Sequence, residues 1–92
     1  DAGTKSLTSD LSATPGSYGL IQEHPDIALV KLNEEHGYLR YDSEKVSLAI
    51  GDRLHIIPNH CCVVANLVDE IYAFRNGILS ETITIDARGK SY

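Results

Sequence analysis

The chain has 92 residues, of which 42% are hydrophobic, and a net charge of −5 at pH 7. This length fits one small domain with a modest core. The acidic balance and the scattered basic residues argue against a nucleic-acid partner, because affinity for phosphate backbones depends on clustered lysine and arginine. No apolar run approaches the roughly 18 residues that a membrane helix needs, and no signal-peptide pattern opens the chain.

The first part of the chain predicts an arm and the rest predicts short strands. Residues 1–25 are rich in Ser, Thr, Gly and Pro, so we expect an extended, loop-rich arm that belongs to the same domain and holds one short strand near 18–21. Residues 26–92 should form the β domain proper. Apolar and alternating runs there predict strands at 27–32, 38–41, 53–57, 70–75 and 78–85.

Local signals near the C-terminus sharpen this picture. Asn76-Gly77 lies between two alternating runs and favours a type I′ hairpin turn, because both central residues of that turn need positive φ. A turn or two of helix is expected within residues 61–68. Many short strands with turns between them predict a small all-β domain, Greek-key or barrel-like, with a short helical turn after His60.

The two cysteines, Cys61 and Cys62, are neighbours. Adjacent cysteines rarely form a disulfide, because the Cα separation that the bond requires is hard to meet, and the chain offers no other partner. The pattern is typical of a reducing compartment, so we expect a cytoplasmic protein. The chain also lacks methionine and begins abruptly, which we interpret as the mark of a fragment of a longer protein.

The densest potential chemistry lies at Asn59-His60-Cys61-Cys62. Imidazole and thiolate groups suit zinc and similar ions. If the backbone is extended, His60 and Cys62 share one face and could contact one ion, whereas Cys61 points into the core. On spacing alone the ordinary interpretation is a buried cysteine pair beside a hydrogen-bonded histidine, because a structural zinc site needs four ligands. A catalytic cysteine is a further alternative, although no Cys–His–Asn spacing supports it.

Four stretches of the chain resemble, in order, one family. Residues 51–67 carry Pro-Asn-His-x-Cys-x-x-x-Asn at 58–66, which closely resembles the C-terminal domain of the D-serine dehydratase/D-threonine aldolase family. The others are 1–5 with Ser9-Asp10, then Glu35-His36-Gly37, and then 85–89. The resemblance covers nearly the whole chain and implies that His60 and Cys62 bind a metal.

The family implies a larger enzyme similar to alanine racemase. In its members an N-terminal (β/α)₈ barrel holds pyridoxal phosphate on a lysine, and a C-terminal β domain closes the active site. By resemblance, this chain is the metal-binding C-terminal domain of a pyridoxal-phosphate lyase that acts on D-3-hydroxy amino acids, as an aldolase or as a D-serine or hydroxyaspartate dehydratase. A divalent metal, zinc or manganese, would activate the substrate 3-hydroxyl, whereas the coenzyme would be bound mainly by the absent barrel.

The resemblance also implies partners and roles. The N-terminal barrel and a small D-amino acid are the expected partners, the full-length enzyme should be a homo-oligomer, and the isolated chain should be inactive. Cysteine at position 62 favours a dehydratase-like site or a cysteine-type aldolase. Two alternatives from other classes are a non-catalytic binding module derived from this domain and a metal-independent amino-acid racemase.

Other residues are given smaller roles. Glu35 and His36 are candidates for contacts behind the metal ligands, with Glu35 orienting a ligand histidine. Asn59 and Asn66 are expected to hydrogen-bond backbone around the His60 turn. Lys5 is a poor candidate for the coenzyme lysine, which the resemblance assigns to the barrel. We identify no sequence partner for His24 or His55, and we expect Asp1, Asp10 and Asp86 to occupy turns or strand ends.

Overall fold

The computed structural model describes residues 2–11 and 13–90. Asp1, which opens the first family-like motif, lies outside this part of the chain. No helix within the described ranges is long and apolar enough to cross a membrane. The described elements, in chain order, are β1 (Gly19–Ile21), β2 (Ala28–Leu32), β3 (Gly37–Arg40), β4 (Ile56–Pro58), α1 (Cys61–Ala65), β5 (Glu70–Arg75) and β6 (Ile78–Thr84).

Strands β1 to β4 form one antiparallel sheet in the spatial order β3-β2-β1-β4. Three strands linked in succession, with a fourth that returns beside the first, make a Greek key. The all-β, Greek-key prediction is therefore confirmed. Residues 41–55 connect β3 to β4. Strand β4 lies at an edge of the sheet, where Pro58 is tolerated because an edge strand has a neighbour on one side only.

Strands β5 and β6 form a separate two-stranded sheet. The turn between them has φ of 52° at Asn76 and 76° at Gly77. Positive φ at both central residues confirms the type I′ turn predicted from the Asn-Gly pair. The ladder shifts register between Ala73 and Phe74, which marks a bulge near the turn.

The core of the larger sheet is small and is closed partly by the N-terminal arm. The buried apolar side chains are Leu7, Ile21, Ile27 and Leu29. The amides of Thr4 and Lys5 in the arm donate to carbonyl oxygens of the β2–β3 turn. At Gly3 a Cβ atom would collide with the backbone of that turn, so the arm can approach this closely only with glycine there.

A buried hydroxyl joins the arm to the centre of this sheet. Ser17 is 3% exposed, and its Oγ donates to the carbonyl of Gly19 at 2.7 Å. The same Oγ accepts the Leu29 amide at 2.8 Å. A buried hydroxyl that both donates and accepts leaves no polar atom unpaired at this point, so the entry to β1 is fixed against β2.

The hairpin of β5 and β6 has almost no buried surface. Six of its large apolar side chains are exposed, and they are Ile71, Tyr72, Phe74, Ile78, Leu79 and Ile83. The cross-strand pairs Phe74–Leu79 and Ile71–Ile83 lie on opposite faces. The hairpin therefore exposes apolar side chains on both of its faces, which is typical of an interaction surface.

Candidate functional site

His60 stands where an edge strand turns into a helix. Strand β4 ends at Pro58, and His60 has extended backbone, with φ of −146° and ψ of 124°, directly before α1. Its side chain is 52% exposed. Helix α1 begins at Cys61 and ends after five residues, and its short length fits the low helix propensity of cysteine and valine.

The start of the helix at Cys61 corrects two expectations. The in-and-out alternation of extended backbone stops at His60, so it does not place His60 and Cys62 on a common face. Cys61 is exposed, so the prediction that it points into the core was wrong. Cys62 is also exposed, and both thiols are free. The two predicted ligands therefore flank a strand–helix junction, on a surface that a partner or substrate could reach.

The residue before His60 connects this junction to the arm. Asn59 Nδ2 donates to the carbonyl of Asp10 at 2.7 Å and to that of Ser17 at 2.8 Å. Asn59 Oδ1 is buried without a hydrogen-bond partner in the described part of the chain. Asn59 binds backbone, as expected, but the backbone of two distant segments rather than of its own turn.

A carboxylate of the arm faces the His60 ring. Asp10 Oδ2 lies 3.9 Å from His60 Nδ1, and the Asp10 side chain is 39% exposed. At this separation the two side chains face each other without a direct hydrogen bond. The sequence motif Ser9-Asp10 contained this residue, but spacing along the chain carries no information about contacts 50 residues apart.

Cys62 opens onto a pocket beside the C-terminal segment. The pocket has a volume of about 450 Å³ and is lined by Cys62, Val63, Asn66, Leu67 and Lys90. The Gly89 amide donates to Asn66 Oδ1 at 2.7 Å, which holds residues near 89 against α1. The thiol thus has open space on one side and a basic residue at the rim.

The Glu35-His36 motif lies in the β2–β3 turn. The register places this turn at the same end of the sheet as His60, with β1 between β2 and β4. Glu35 Oε1 accepts from Lys5 Nζ at 2.6 Å, and both side chains are more than half exposed. The His36 carbonyl accepts the Asn33 amide at 2.8 Å. The partner of Glu35 in the described part of the chain is thus Lys5. The role of Glu35 in orienting a ligand histidine stays a prediction.

His55 has a partner that the sequence did not reveal. Its amide donates to Glu23 Oε2 at 3.0 Å, and its imidazole Nδ1 contacts the same carboxylate. The hydrogen bond from the His55 side chain, aided by the one from its backbone amide, lowers the pKa of Glu23 to about 2. Glu23 is thus the partner of His55 that could not be identified from the sequence.

The donor groups near the junction fit a transition metal in their chemistry. Imidazole nitrogen and thiolate sulfur are the usual ligands of zinc, and two protein ligands leave positions open for water or substrate. Within residues 2–11 and 13–90 no three His, Cys, Asp or Glu side chains converge on one point. A closed structural metal site is thus not formed by the described residues.

Comparison with known proteins identifies relatives along the whole chain. Residues 1–74 match the D-ser_dehydrat family model, described as "Putative serine dehydratase domain". An uncharacterized protein of Mycobacterium tuberculosis (strain ATCC 25618 / H37Rv) is 34% identical over 92 residues, which are 100% of this chain and 69% of that relative.

Two relatives carry the names of enzymes. The 3-hydroxy-D-aspartate aldolase of Paracoccus denitrificans is 35% identical over 92 residues, all of this chain and 22% of that enzyme. The D-threonine aldolase of an Arthrobacter species is 31% identical over 91 residues, 99% of this chain and 23% of that enzyme. The chain thus corresponds to under a quarter of each aldolase. The family match and the relatives together establish that this chain belongs to the serine dehydratase domain family.

Proposed function

We propose that this chain is the metal-binding domain of a pyridoxal-phosphate lyase acting on D-3-hydroxy amino acids. The observation that carries the proposal is the exposed His60/Cys62 pair at the β4–α1 junction, in a chain that is 35% identical to part of a 3-hydroxy-D-aspartate aldolase. His60 and Cys62 are the proposed metal ligands. Zinc and manganese are the candidate ions, and the coenzyme belongs to the part of the enzyme outside this chain.

The coenzyme and the metal would supply the reactive chemistry, and the residues of this chain would hold the metal. When bound, the coenzyme supplies an electron sink and the metal supplies a Lewis acid for the substrate 3-hydroxyl. His60 and Cys62 would hold that ion, and two protein ligands would leave positions open for water or substrate. The edge position of β4 and the short helix keep both side chains at the surface, where a second domain and a substrate can approach. The pocket beside Cys62 gives the substrate volume to occupy.

The choice between aldolase and dehydratase depends on the fate of the 3-hydroxyl. An aldolase removes its proton as the Cα–Cβ bond breaks, whereas a dehydratase expels the hydroxyl as water. The named relatives are aldolases, so we propose aldol cleavage first. Because residue 62 is cysteine, dehydratase activity should be assayed alongside aldolase activity.

One observation favours a second candidate function. Because 92 residues make up 69% of the mycobacterial relative, that protein has about 133 residues. A (β/α)₈ barrel alone takes roughly 250 residues, so the relative has no room for one. A stand-alone binding module that keeps the fold and the junction is therefore the alternative, and it would bind metal without cleaving substrate.

The experiment compares Cys62→Ser with Cys61→Ser in the full-length protein. Both cysteines are exposed neighbours in one helix, so the second is a matched control for the first. We expect Cys62→Ser and His60→Ala to lose most of the bound metal and at least 100-fold of lyase activity (about 2.7 kcal/mol at 25 °C), and Cys61→Ser to keep both. Metal content after dialysis and aldehyde release from D-3-hydroxy amino acids are the measurements.

Three outcomes would contradict parts of this proposal. Full metal content in both Cys62→Ser and His60→Ala would remove the metal site. Metal bound by the two ligands without any lyase activity would favour the binding module. Racemisation of an amino acid that is insensitive to EDTA, without aldehyde release, would favour the metal-independent racemase.

A further inference from the structure

We propose that Asp10 is the positioning residue for His60: its carboxylate holds the Nδ1 side of the imidazole, so that Nε2 is the nitrogen presented to the metal. This inference rests on the proposed function, because it needs His60 to be a ligand. It gives Asp10, in the N-terminal arm, the orienting role that the sequence predicted for Glu35.

The first argument is the direction of the contact. Asp10 Oδ2 lies 3.9 Å from Nδ1 of His60, and Nδ1 is the ring nitrogen nearest the main chain. Two side chains that are 39% and 52% exposed leave room for the carboxylate to close on Nδ1 or for one water to bridge them. The opposite nitrogen, Nε2, is the one left for an external group.

The second argument is that residue 10 is held in place from both sides. Its carbonyl accepts Asn59 Nδ2 at 2.7 Å, so the residue next to His60 itself fixes the backbone of Asp10. Its amide donates to Thr8 Oγ1 at 3.2 Å, and Thr8 is 5% exposed. The carboxylate therefore faces His60 from a fixed backbone and not from a free loop tip.

The third argument is that the other carboxylates considered have partners elsewhere. Glu35 is paired with Lys5 at 2.6 Å, and Glu23 is bound to His55. The carboxylate that faces His60 in the described part of the chain is that of Asp10, at 3.9 Å. The arm therefore supplies the carboxylate that the β2–β3 turn was expected to supply.

The chemistry of histidine ligands explains why such a residue is useful. A neutral imidazole carries one proton, and a carboxylate that accepts this proton at Nδ1 fixes the tautomer whose Nε2 lone pair is free. It also fixes the ring orientation and raises the basicity of Nε2. Loss of such a partner typically costs 10–100-fold in metal affinity.

The test measures zinc affinity of the full-length protein by competition with a chromogenic chelator, and the absorption spectrum of the cobalt-substituted form. The variants are Asp10→Ala and Asp10→Asn, and Asp26→Asn is the control, an exposed carboxylate in the turn at the far end of the sheet. We expect a 10–100-fold weaker zinc affinity for Asp10→Ala, a smaller loss for Asp10→Asn, whose side-chain oxygen still accepts, and no change for Asp26→Asn. Both Asp10 variants should shift the cobalt bands.

The possible results distinguish a failure of the Asp10 positioning role from a failure of the proposed metal-binding function. If Asp10→Ala binds zinc within twofold of the parent while His60→Ala does not bind it, the positioning role is overturned and the metal site stands. If His60→Ala binds zinc like the parent, the proposed function fails first. Should Asp10→Ala not fold, Asp10→Asn retains the volume and the backbone bonds of aspartate, and unchanged zinc affinity and cobalt bands in that variant would overturn the inference.

Discussion

Glu23 is a single residue that ties two parts of the larger sheet together. It lies in the turn after β1, and its carboxylate receives both the amide and the imidazole of His55, which precedes β4. An acid whose pKa falls on folding stabilises the folded state when it is ionised. Here the pKa falls from 4.5 to about 2, chiefly through the hydrogen bond from the His55 side chain.

This shift predicts how stability depends on pH. The contribution of Glu23 is complete above pH 4.5 and is lost as the pH falls toward 2. Glu23→Gln should therefore unfold at lower urea concentration than the parent at pH 7, and the difference should shrink between pH 4.5 and 2. Urea titrations across that range give the measurement, with Glu44→Gln as the exposed control. A difference that stays constant down to pH 2 would contradict the assignment.

At the residue scale the sequence predicted candidates but not contacts. The motif singled out His60 and Cys62, and their role as metal ligands stays a prediction. Asn59 was correctly expected to bind backbone. The partners of His60 and His55 could not be predicted, because Asp10 and Glu23 come from segments 50 and 32 residues away in the chain. Cys61 was misplaced because the extended backbone was assumed to continue through Cys62, whereas the helix begins at Cys61.

At the element scale, turn chemistry made the strands predictable. Gly77 has a φ of 76°, a conformation that costs other residues roughly 1–2 kcal/mol. We expect Gly77→Ala to lower the free energy of unfolding by about 1 kcal/mol, within that range. Asn76→Gly is the matched control at the neighbouring position and should be nearly neutral, because glycine adopts a φ of 52° without strain. Equal urea midpoints for Gly77→Ala and the parent would show that the hairpin tolerates another turn.

The same local signals explain how far the fold could be foreseen. Alternation and β-branched runs between glycine, proline and asparagine punctuation located β1 to β6 within a few residues. The sequence predicted a Greek-key or barrel-like fold but not the strand order β3-β2-β1-β4, because strand order depends on contacts between residues far apart in the chain. No local pattern in the sequence indicated that β5 and β6 form a second sheet.

At the scale of the whole molecule, exposed apolar surface is the dominant feature. The radius of gyration is 14.4 Å, against about 12 Å for a compact chain of 92 residues. The hairpin accounts for much of the exposed surface, with Phe74 at 66% and Ile78 at 72% exposure. Apolar patches of this kind mark interaction surfaces or cause aggregation.

We therefore expect the isolated chain to self-associate. The double variant Phe74→Ser with Ile78→Ser should shift it toward the monomer, because it removes apolar surface from both faces of the hairpin. Ile50→Ser is the control, since Ile50 is fully exposed and belongs to the β3–β4 connection and not to the hairpin. Light scattering across a concentration series distinguishes the variants. If the double variant and Ile50→Ser behave alike, the hairpin is not the associating surface.

The Asn59 side chain has a consequence for the order of events during folding. Its two hydrogen bonds close loops of 49 and 42 residues, so the surroundings of His60 cannot form from neighbouring sequence alone. They come together only when the arm, β1 and β4 have met, which is late in a topology governed by distant contacts. Amide protons near His60 should then exchange with solvent mainly when this sheet opens, so their exchange rates report on the integrity of the sheet.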